Sequence, residues 1–189
     1  MPKKQNKSPK PKKKNNGRWT SIIIIAVLTM IIGIYLLAKY SEKIPVTIVP
    51  QKAKTRTVSL YFSDDKNMKL NIEKRDIKKG AVADEIKEVV AGLIKGPSEK
   101  LTPTVPEDAK LLNAAIKQGT AFLDFSPEIS SKHPGGSSAE IQTIYSIVNT
   151  ITSNFPEIKN VQILINGKKE KTLAGHIDIS FPIAADKTK

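Results

Sequence analysis

The side chains of this chain that could do chemistry are two histidines and a few carboxylates and serines. His133 precedes a Pro-Gly-Gly segment, and Ser137 and Ser138 follow that segment directly. A histidine, a serine and an aspartate that converge across loops would indicate acyl transfer. However, no nucleophile elbow surrounds either serine, and Ser137 and Glu140 have the spacing of a capping box at a helix start. The pattern therefore favours a structural role for these residues over catalysis.

Three carboxylates, Asp124, Glu128 and Asp178, are the candidates for hydrolysis of an envelope polymer. A glycan hydrolase would need two of them on one wall of a cleft, about 5 to 10 Å apart. His176 and Asp178 alternate with two isoleucines, so both are expected to point away from the core, and a metal site there would need further ligands. Cysteine is absent, which excludes thiol nucleophiles and thiolate metal sites. We predict no catalytic residue, no cofactor and no metal.

Glycine and proline mark three loops that could contact a ligand or a partner. Gly135-Gly136 precedes a predicted helix and could hold an anion through backbone N–H groups, but a phosphate-binding loop would carry a lysine where Ser137 and Ser138 stand. The segments at residues 96–98 and 102–104 contain Pro97 and Pro103. Proline-containing loops present a rigid surface at low entropic cost, so these two segments are predicted to belong to a partner surface.

These residues lie in a predicted α+β domain at residues 56–183. Alternating and helical apolar patterns predict an order of two strands, helix, two strands, helix, two strands. The predicted bounds are strands at 57–62, 68–72, 110–117, 120–125, 161–165 and 177–181, with helices from about residue 82 to Gly96 and from Ser137 to Phe155. Met68, Leu70 and Ile72 share one face of the second strand. A mostly antiparallel sheet with two helices packed on one face satisfies these patterns.

The basic charge of the chain is concentrated at its N-terminus. The 189 residues include 31 basic and 18 acidic side chains, a net charge of +13. Eight of the basic residues lie within residues 1–18, where there is no acid. This segment contains almost no apolar residue, so it is predicted to be a disordered cytoplasmic tail. Its composition gives no reason to expect a nucleic-acid partner.

An apolar segment follows the tail and predicts a transmembrane helix at residues 19–38. Ile22 to Ala38 contains no charged residue and is long enough to cross a bilayer. A buried core helix would show a polar face, and a cleaved signal peptide would end in small residues, whereas Leu36-Leu37-Ala38-Lys39-Tyr40 does not. An uncleaved single-pass anchor is therefore favoured. The positive-inside rule places the N-terminus in the cytoplasm, with a linker at residues 39–55 and a C-terminal tail at 184–189 outside.

Several ordered motifs of the outer domain resemble the GerMN domain of GerM-type sporulation and spore-germination proteins. They are Val89 to Pro97, Thr104 to Leu112, Gly119 to Glu128, Gly135 to Glu140, Ile147 to Ile151, Val161 to Lys168 and Leu173 to Asp178. The resemblance implies a non-catalytic extracytoplasmic domain that serves assembly of an envelope-spanning complex, with a fold similar to ring-building modules of secretion systems. This chain has one copy of the domain where the best-known members carry two, and a transmembrane helix in place of a lipid-anchored cysteine.

Together the anchor and the resemblance predict a membrane protein that scaffolds envelope proteins of a sporulation-type complex. The anchor would confine the domain to a layer near the membrane and raise its effective concentration toward other anchored partners. The alternatives are a receptor for the cell wall or a small ligand, which predicts a deep pocket with convergent polar groups, and a hydrolase of envelope polymers.

Overall fold

The computed structural model describes residues 17–41, 54–64, 69–98 and 100–186. Most of the predicted tail at residues 1–18, most of the linker at 39–55 and the end of the C-terminal tail lie outside these residues, so the predictions made for them stay predictions. The chain divides into two compact units, Met1–Gln51 and Lys52–Lys189.

The first unit contains one long helix, α1, at Gly17–Ser41. Trp19–Tyr40 is the one segment among the described residues that is long and apolar enough to cross a membrane. The hydroxyl of Thr29 donates a hydrogen bond to the carbonyl of Ala26 at 2.9 Å, so this polar side chain is satisfied within the helix. Near the other end, the ammonium of Lys39 lies 5.8 Å from the ring centre of Tyr35.

The second unit is a mixed α+β domain, as predicted. Its strands are β1 (Thr55–Asp64), β2 (Lys69–Lys78), β3 (Leu111–Lys117), β4 (Thr120–Phe125), β5 (Asn160–Ile165) and β6 (Ile183–Ala184), and its helices are α2 (Val82–Lys95), α3 (Glu128–Ser131) and α4 (Ser137–Asn154). The strands form two sheets, a β1-β2 hairpin and a four-stranded sheet in the order β3-β4-β5-β6. Pairing is antiparallel except between β4 and β5.

The turn between β3 and β4 follows the sequence closely. Gln118 and Gly119 have φ values of 50° and 72°, the left-handed conformation that a two-residue hairpin turn requires. The predicted bounds of β4 are confirmed. Helix α2 ends at Lys95, and Gly96, where the sequence predicts the end, is its cap residue with a φ of 82°.

The face of β2 that packs against the core is not the one predicted from its apolar residues. Its register with β1 places Glu73 opposite Leu60 and Arg75 opposite Val58, so odd-numbered residues of β2 share the face of the buried β1 residues. Ile72 lies on the other face and is 50% exposed. The apolar set of Leu70 and Ile72 is therefore external, because register and not local hydrophobicity decides the buried face.

The core lies where both sheets meet α2 and α4. Its largest fully buried side chains come from β1, α2, β4, α3, α4, the segment after α4, and β5: Leu60, Phe62, Ile86, Leu93, Leu123, Phe125, Ile129, Ile144, Ile147, Ile151, Ile158 and Ile163. Each such side chain stabilises the fold by about 1.5 to 3 kcal/mol through removal of apolar surface from water.

The predicted strand at residues 177–181 is wrong. The last strand is the short β6 at Ile183–Ala184, and residues 168–181 form a loop with an isolated bridge between Thr172 and Asp178. Ile179 is buried as the pattern suggests, but Phe181 is 71% exposed. The alternating apolar residues of this segment attach a loop to the domain. The backbone of the segment bonds mainly to side chains and not to a neighbouring strand.

Candidate functional site

His133 has both ring nitrogens engaged in the structure. Its Nδ1 accepts a hydrogen bond from the N–H of Gly135 at 3.0 Å, and its Nε2 lies 3.0 Å from the hydroxyl of Thr143. That hydroxyl in turn donates to the carbonyl of Thr104. Burial lowers the pKa of His133, which favours the neutral ring. His133 therefore connects the loop before α4 to the helix, and no serine hydroxyl is among its partners.

The predicted capping box at the start of α4 is wrong. Gly136 occupies the cap position with φ of 81° and no side chain caps the helix. Glu140 is fully buried, and its carboxylate accepts the N–H groups of Leu173, Ala174 and His176 at 2.8 to 2.9 Å. The helix side chain thus holds a loop more than thirty residues further along the chain, a contact that local spacing cannot reveal.

The second histidine contacts the same carboxylate. His176 Nδ1 lies 3.0 Å from Glu140 Oε2, and its side chain is 45% exposed. Burial alone would raise the pKa of Glu140, but the hydrogen bonds from Ala174, His176 and Ile177 outweigh it and lower that pKa. Glu140 is therefore an ionised, fully paired anchor for the loop.

The three carboxylates considered for hydrolysis each accept a structural hydrogen bond, from a residue two positions away for Glu128 and Asp178 and from a distant turn for Asp124. Asp124 accepts the N–H of Gly167 at 2.7 Å, and Asp178 accepts the N–H of Ser180 at 2.8 Å. A hydrogen bond from Ser126 lowers the pKa of Glu128, and one from Ser180 lowers that of Asp178. None of the three lines the cavities described below, and the described residues hold no cluster of three or more potential metal ligands.

A half-buried ion pair that sequence patterns missed joins β2 to the loop after α2. The Arg75 guanidinium contacts Glu73 and donates to the carbonyls of Gly92 and Gly96 at 3.1 and 3.0 Å. Glu73 also accepts the N–H and hydroxyl of Ser98 at 2.9 and 2.7 Å. Burial raises the pKa of Glu73, yet the bonds from Arg75 and Ser98 give a net lowering. This network fixes the position of the residue 96–98 loop.

The surface around the C-terminal half of α2 contains the candidate functional site. Three cavities lie there, of about 400, 530 and 400 Å³. The first lies beside the residue 102–107 loop and α4 and includes Pro103, Thr104, Pro134 and Gln142. The second lies between α2 and the residues that enter β3, and the third between α2 and β2. Lys95 lines all three, so they form one continuous area that we call the Lys95 surface.

The Lys95 surface includes both proline-containing loops that the sequence predicted to contact a partner. Lys95, Gly96, Thr102, Pro103 and Thr104 line the first cavity, and Gly96, Pro97 and Ser98 line the third. The contributions of α2 were not predicted, because Ala91 and Lys95 lie on its polar face and read from the sequence as ordinary solvent-exposed helix.

Residues 59–171 match the Germane family, described as sporulation and spore germination. The chain belongs to this family. The match begins within β1 and ends after β5, so it includes the Lys95 surface and Glu140 but not the residues at 173–176 that Glu140 holds. The predicted resemblance to GerMN domains is confirmed.

Solved structures show the same fold. A protein of Clostridium perfringens described as a lipoprotein is 31% identical, with a TM-score of 0.51, over 73% of this chain and 93% of its own. The first GerMN domain of the sporulation protein GerM from Bacillus subtilis is 25% identical, with a TM-score of 0.55, over 69% of this chain and 96% of its own. The tandem GerMN domains of that protein match at 24% identity and a TM-score of 0.54, with 75% of this chain and 49% of the tandem covered. Comparison with curated proteins gives no match.

Proposed function

We propose that this protein is a single-pass membrane protein whose Germane domain binds protein partners without catalysis and scaffolds their assembly in the envelope, in sporulation or germination. The Lys95 surface is the observation that carries the proposal. It is a broad area built from a helix face and two rigid loops. The carboxylates and histidines that chemistry would need are instead used to hold turns and loops elsewhere.

The proposed topology rests on α1 and on the charges that flank it. The helix offers 22 residues for a membrane span, and eight basic residues lie within residues 1–18. Positive residues stay on the cytoplasmic side, so the Germane domain would be exported and held close to the outer face of the membrane. The Clostridium perfringens relative, described as a lipoprotein, supports a membrane-proximal location by a different anchor.

Site-specific crosslinking in intact cells tests the scaffolding role. A photoreactive amino acid placed at Lys95 is expected to trap one or a few envelope proteins, whereas the same group at the exposed Lys169, outside the Lys95 surface, is not. Identical products from both positions, or none from Lys95 in any growth phase, would contradict the proposal.

A cell-wall or small-ligand receptor is the second candidate, because the first cavity has polar groups that converge on a pocket. Thr102, Thr104, Glu107 and Gln142 line it together with three prolines. Co-sedimentation with purified wall fragments tests this function. Saturable binding that Gln142→Ala and Thr102→Val weaken would favour the receptor, and binding that they leave unchanged would not.

A further inference from the structure

The second cavity of the Lys95 surface combines an apolar floor with a basic rim. Ala91 and Ile94 of α2 face Ala109 and Leu111, which lead into β3. The charged residues around this floor are Lys87, Lys95, Lys110 and Glu107. Lys87 lies 3.5 Å from Asp84, while Lys95 and Lys110 make no ion pair with a described residue. The cavity is therefore suited to an apolar side chain flanked by negative charge.

The cavity adjoins an unpaired strand edge. β3 is the first strand of its sheet, and Lys117 and Thr120 flank the two-residue turn as a hydrogen-bonded pair. Because backbone direction alternates along a strand, the N–H and C=O groups of Ala114 and Ile116 point away from β4. Among the described residues, these backbone groups of Ala114 and Ile116 have no hydrogen-bond partner.

The same strand exposes two apolar side chains, and Ile116 is on the core face of the sheet. Ile116 is opposite Ala121 and shares its face, yet it is 40% exposed. Leu112, at the register shift of β3, is 51% exposed. By contrast, much of the free edge of β1 is covered: Ser63 pairs with Thr102, and side chains of α4 bond to the backbone of Ser59 and Tyr61.

We infer that an extended segment of a partner protein, with apolar and acidic residues on the same face of its strand, adds to the β3 edge and fills the cavity between β3 and α2. This inference rests on the proposed scaffolding function and gives the chemistry of the partner. The strand would bond to Ala114 and Ile116, its apolar side chains would cover Ile116 and enter the cavity, and its carboxylates would pair with Lys95 and Lys110. Strand addition of this kind obtains affinity from the backbone and specificity from alternate side-chain pockets.

The apolar floor and the open backbone edge favour a peptide over a phosphate polymer. A polyanion needs neither an unpaired strand nor a pocket for methyl groups. The positive rim also distinguishes this edge from the free edge of β2, where Asp76 and Glu88 offset Arg75 and Lys95 in the adjoining cavity.

Peptide binding to the full-length protein in nanodiscs tests the inference. The probe is the capped peptide Thr-Val-Thr-Glu-Thr-Val-Thr-Glu-Thr, whose valines and glutamates lie on one face of a strand, with Thr-Val-Thr-Lys-Thr-Val-Thr-Lys-Thr as the charge control. We expect the acidic peptide to bind at least about tenfold more tightly than the basic one, and K95E/K110E to reverse that preference. K168E/K169E is the matched control, since both lysines are exposed and line none of the three cavities.

A backbone variant separates strand addition from simple charge attraction. Ala114→Pro removes an N–H that points away from β4, so internal pairing of the hairpin is retained. We expect a loss of acidic-peptide binding of about tenfold or more, with an unchanged melting temperature. If this variant proves unstable, amide hydrogen exchange of the unmodified protein decides: peptide-dependent protection of Ala114 and Ile116 supports the inference, and no protection overturns it.

Other outcomes overturn the inference without touching the proposed function. Inorganic polyphosphate that binds as tightly as the acidic peptide, with an affinity that Ala114→Pro leaves unchanged, would indicate a polyanion site. Self-association that K95E/K110E abolishes would indicate a second copy as the occupant. Crosslinks from Lys95 that persist in the Ala114→Pro variant would retain a scaffold while rejecting strand addition, whereas absence of crosslinks in the unmodified protein rejects the scaffold itself.

Discussion

Buried polar residues of this domain act as connectors between segments that are distant in the chain. Glu140 has no exposed surface and receives three backbone N–H groups and the His176 ring. A buried carboxylate is costly unless it is paired in this way. Its role is therefore to fix the loop that replaces the expected last strand.

Replacement of Glu140 by glutamine is expected to lower the free energy of unfolding by about 3 kcal/mol. The carboxylate offers two acceptor oxygens and a negative charge, whereas the amide offers one acceptor oxygen and no charge. Urea denaturation measures the change. Glu170→Gln, at an exposed position with no described hydrogen bond, is the control and should leave the midpoint unchanged. Equal midpoints for the two variants would contradict the anchoring role.

The lowered pKa of His133 predicts that the domain loses stability on mild acidification. Its folded pKa lies below the ordinary 6.5 because of burial, with a smaller opposing effect from Glu140 and a further lowering from His176. As the pH falls through 6.5, the unfolded chain takes up a proton that the folded chain resists, so stability decreases. Unfolding free energies at pH 7 and 5 should differ less for His133→Gln than for the unmodified protein. The interval from pH 9 to 7, where this ring does not titrate, provides the baseline.

At the scale of elements, α4 covers the edge of a sheet with side chains in place of a strand. The Asn154 amide accepts the N–H of Ser59 at 2.9 Å and donates to its carbonyl at 2.7 Å. The Thr150 hydroxyl accepts the N–H of Tyr61 at 3.0 Å, and the Ser146 hydroxyl donates to the Tyr61 carbonyl at 2.6 Å. These three residues recur every fourth position, so one face of the helix satisfies the exposed row of β1. Edge strands are otherwise sites of unwanted pairing.

Thr150→Val keeps the shape of the side chain and removes the acceptor for the Tyr61 N–H. We expect a destabilisation of about 1 to 3 kcal/mol, because a nearly buried donor is left unsatisfied. Thermal melting measures it, and faster hydrogen exchange at Tyr61 should accompany it. Ser153→Ala is the control on the same helix, since its hydroxyl bonds to the exposed Tyr61 phenol. A stable Thr150→Val variant with unchanged exchange would show that the edge does not depend on α4.

At the scale of the whole molecule, the apolar α1 and the Germane domain are separate compact units with different solvent requirements. The side chains of Trp19–Tyr40 are unburied, which would be untenable in water for a helix of this composition. An apolar helix at the N-terminus is shared by anchors and signal peptides, and the two differ in whether the mature protein retains it.

An arginine in place of Ile31 is expected to release the protein from the membrane fraction, because a charge at the centre of a spanning helix costs about 2.5 to 3.5 kcal/mol on insertion scales. Carbonate extraction followed by blotting measures the release. Thr29→Val is the control and should remain with the membrane. N-terminal sequencing of the extracted protein separates anchor from signal peptide, since a mature chain that begins after residue 40 would contradict the proposed topology.

Composition and short periods in the sequence were enough to determine the apolar helix, the α+β class, the ends of α2 and the bounds of β4. Each depends on residues within a few positions of one another, where backbone preference and side-chain spacing act directly. The proline-containing loops of the Lys95 surface were also found in this way, since proline restricts the chain wherever it occurs.

Tertiary structure alone decided the buried face of β2, the anchor made by Glu140, the loop at residues 168–181 and the part of the Lys95 surface that α2 contributes. Glu140 and His176 are 36 positions apart, and Ser59 and Asn154 are 95 apart. Strand register and the pairing of a buried charge depend on which distant segment arrives beside them, and no local pattern contains that information.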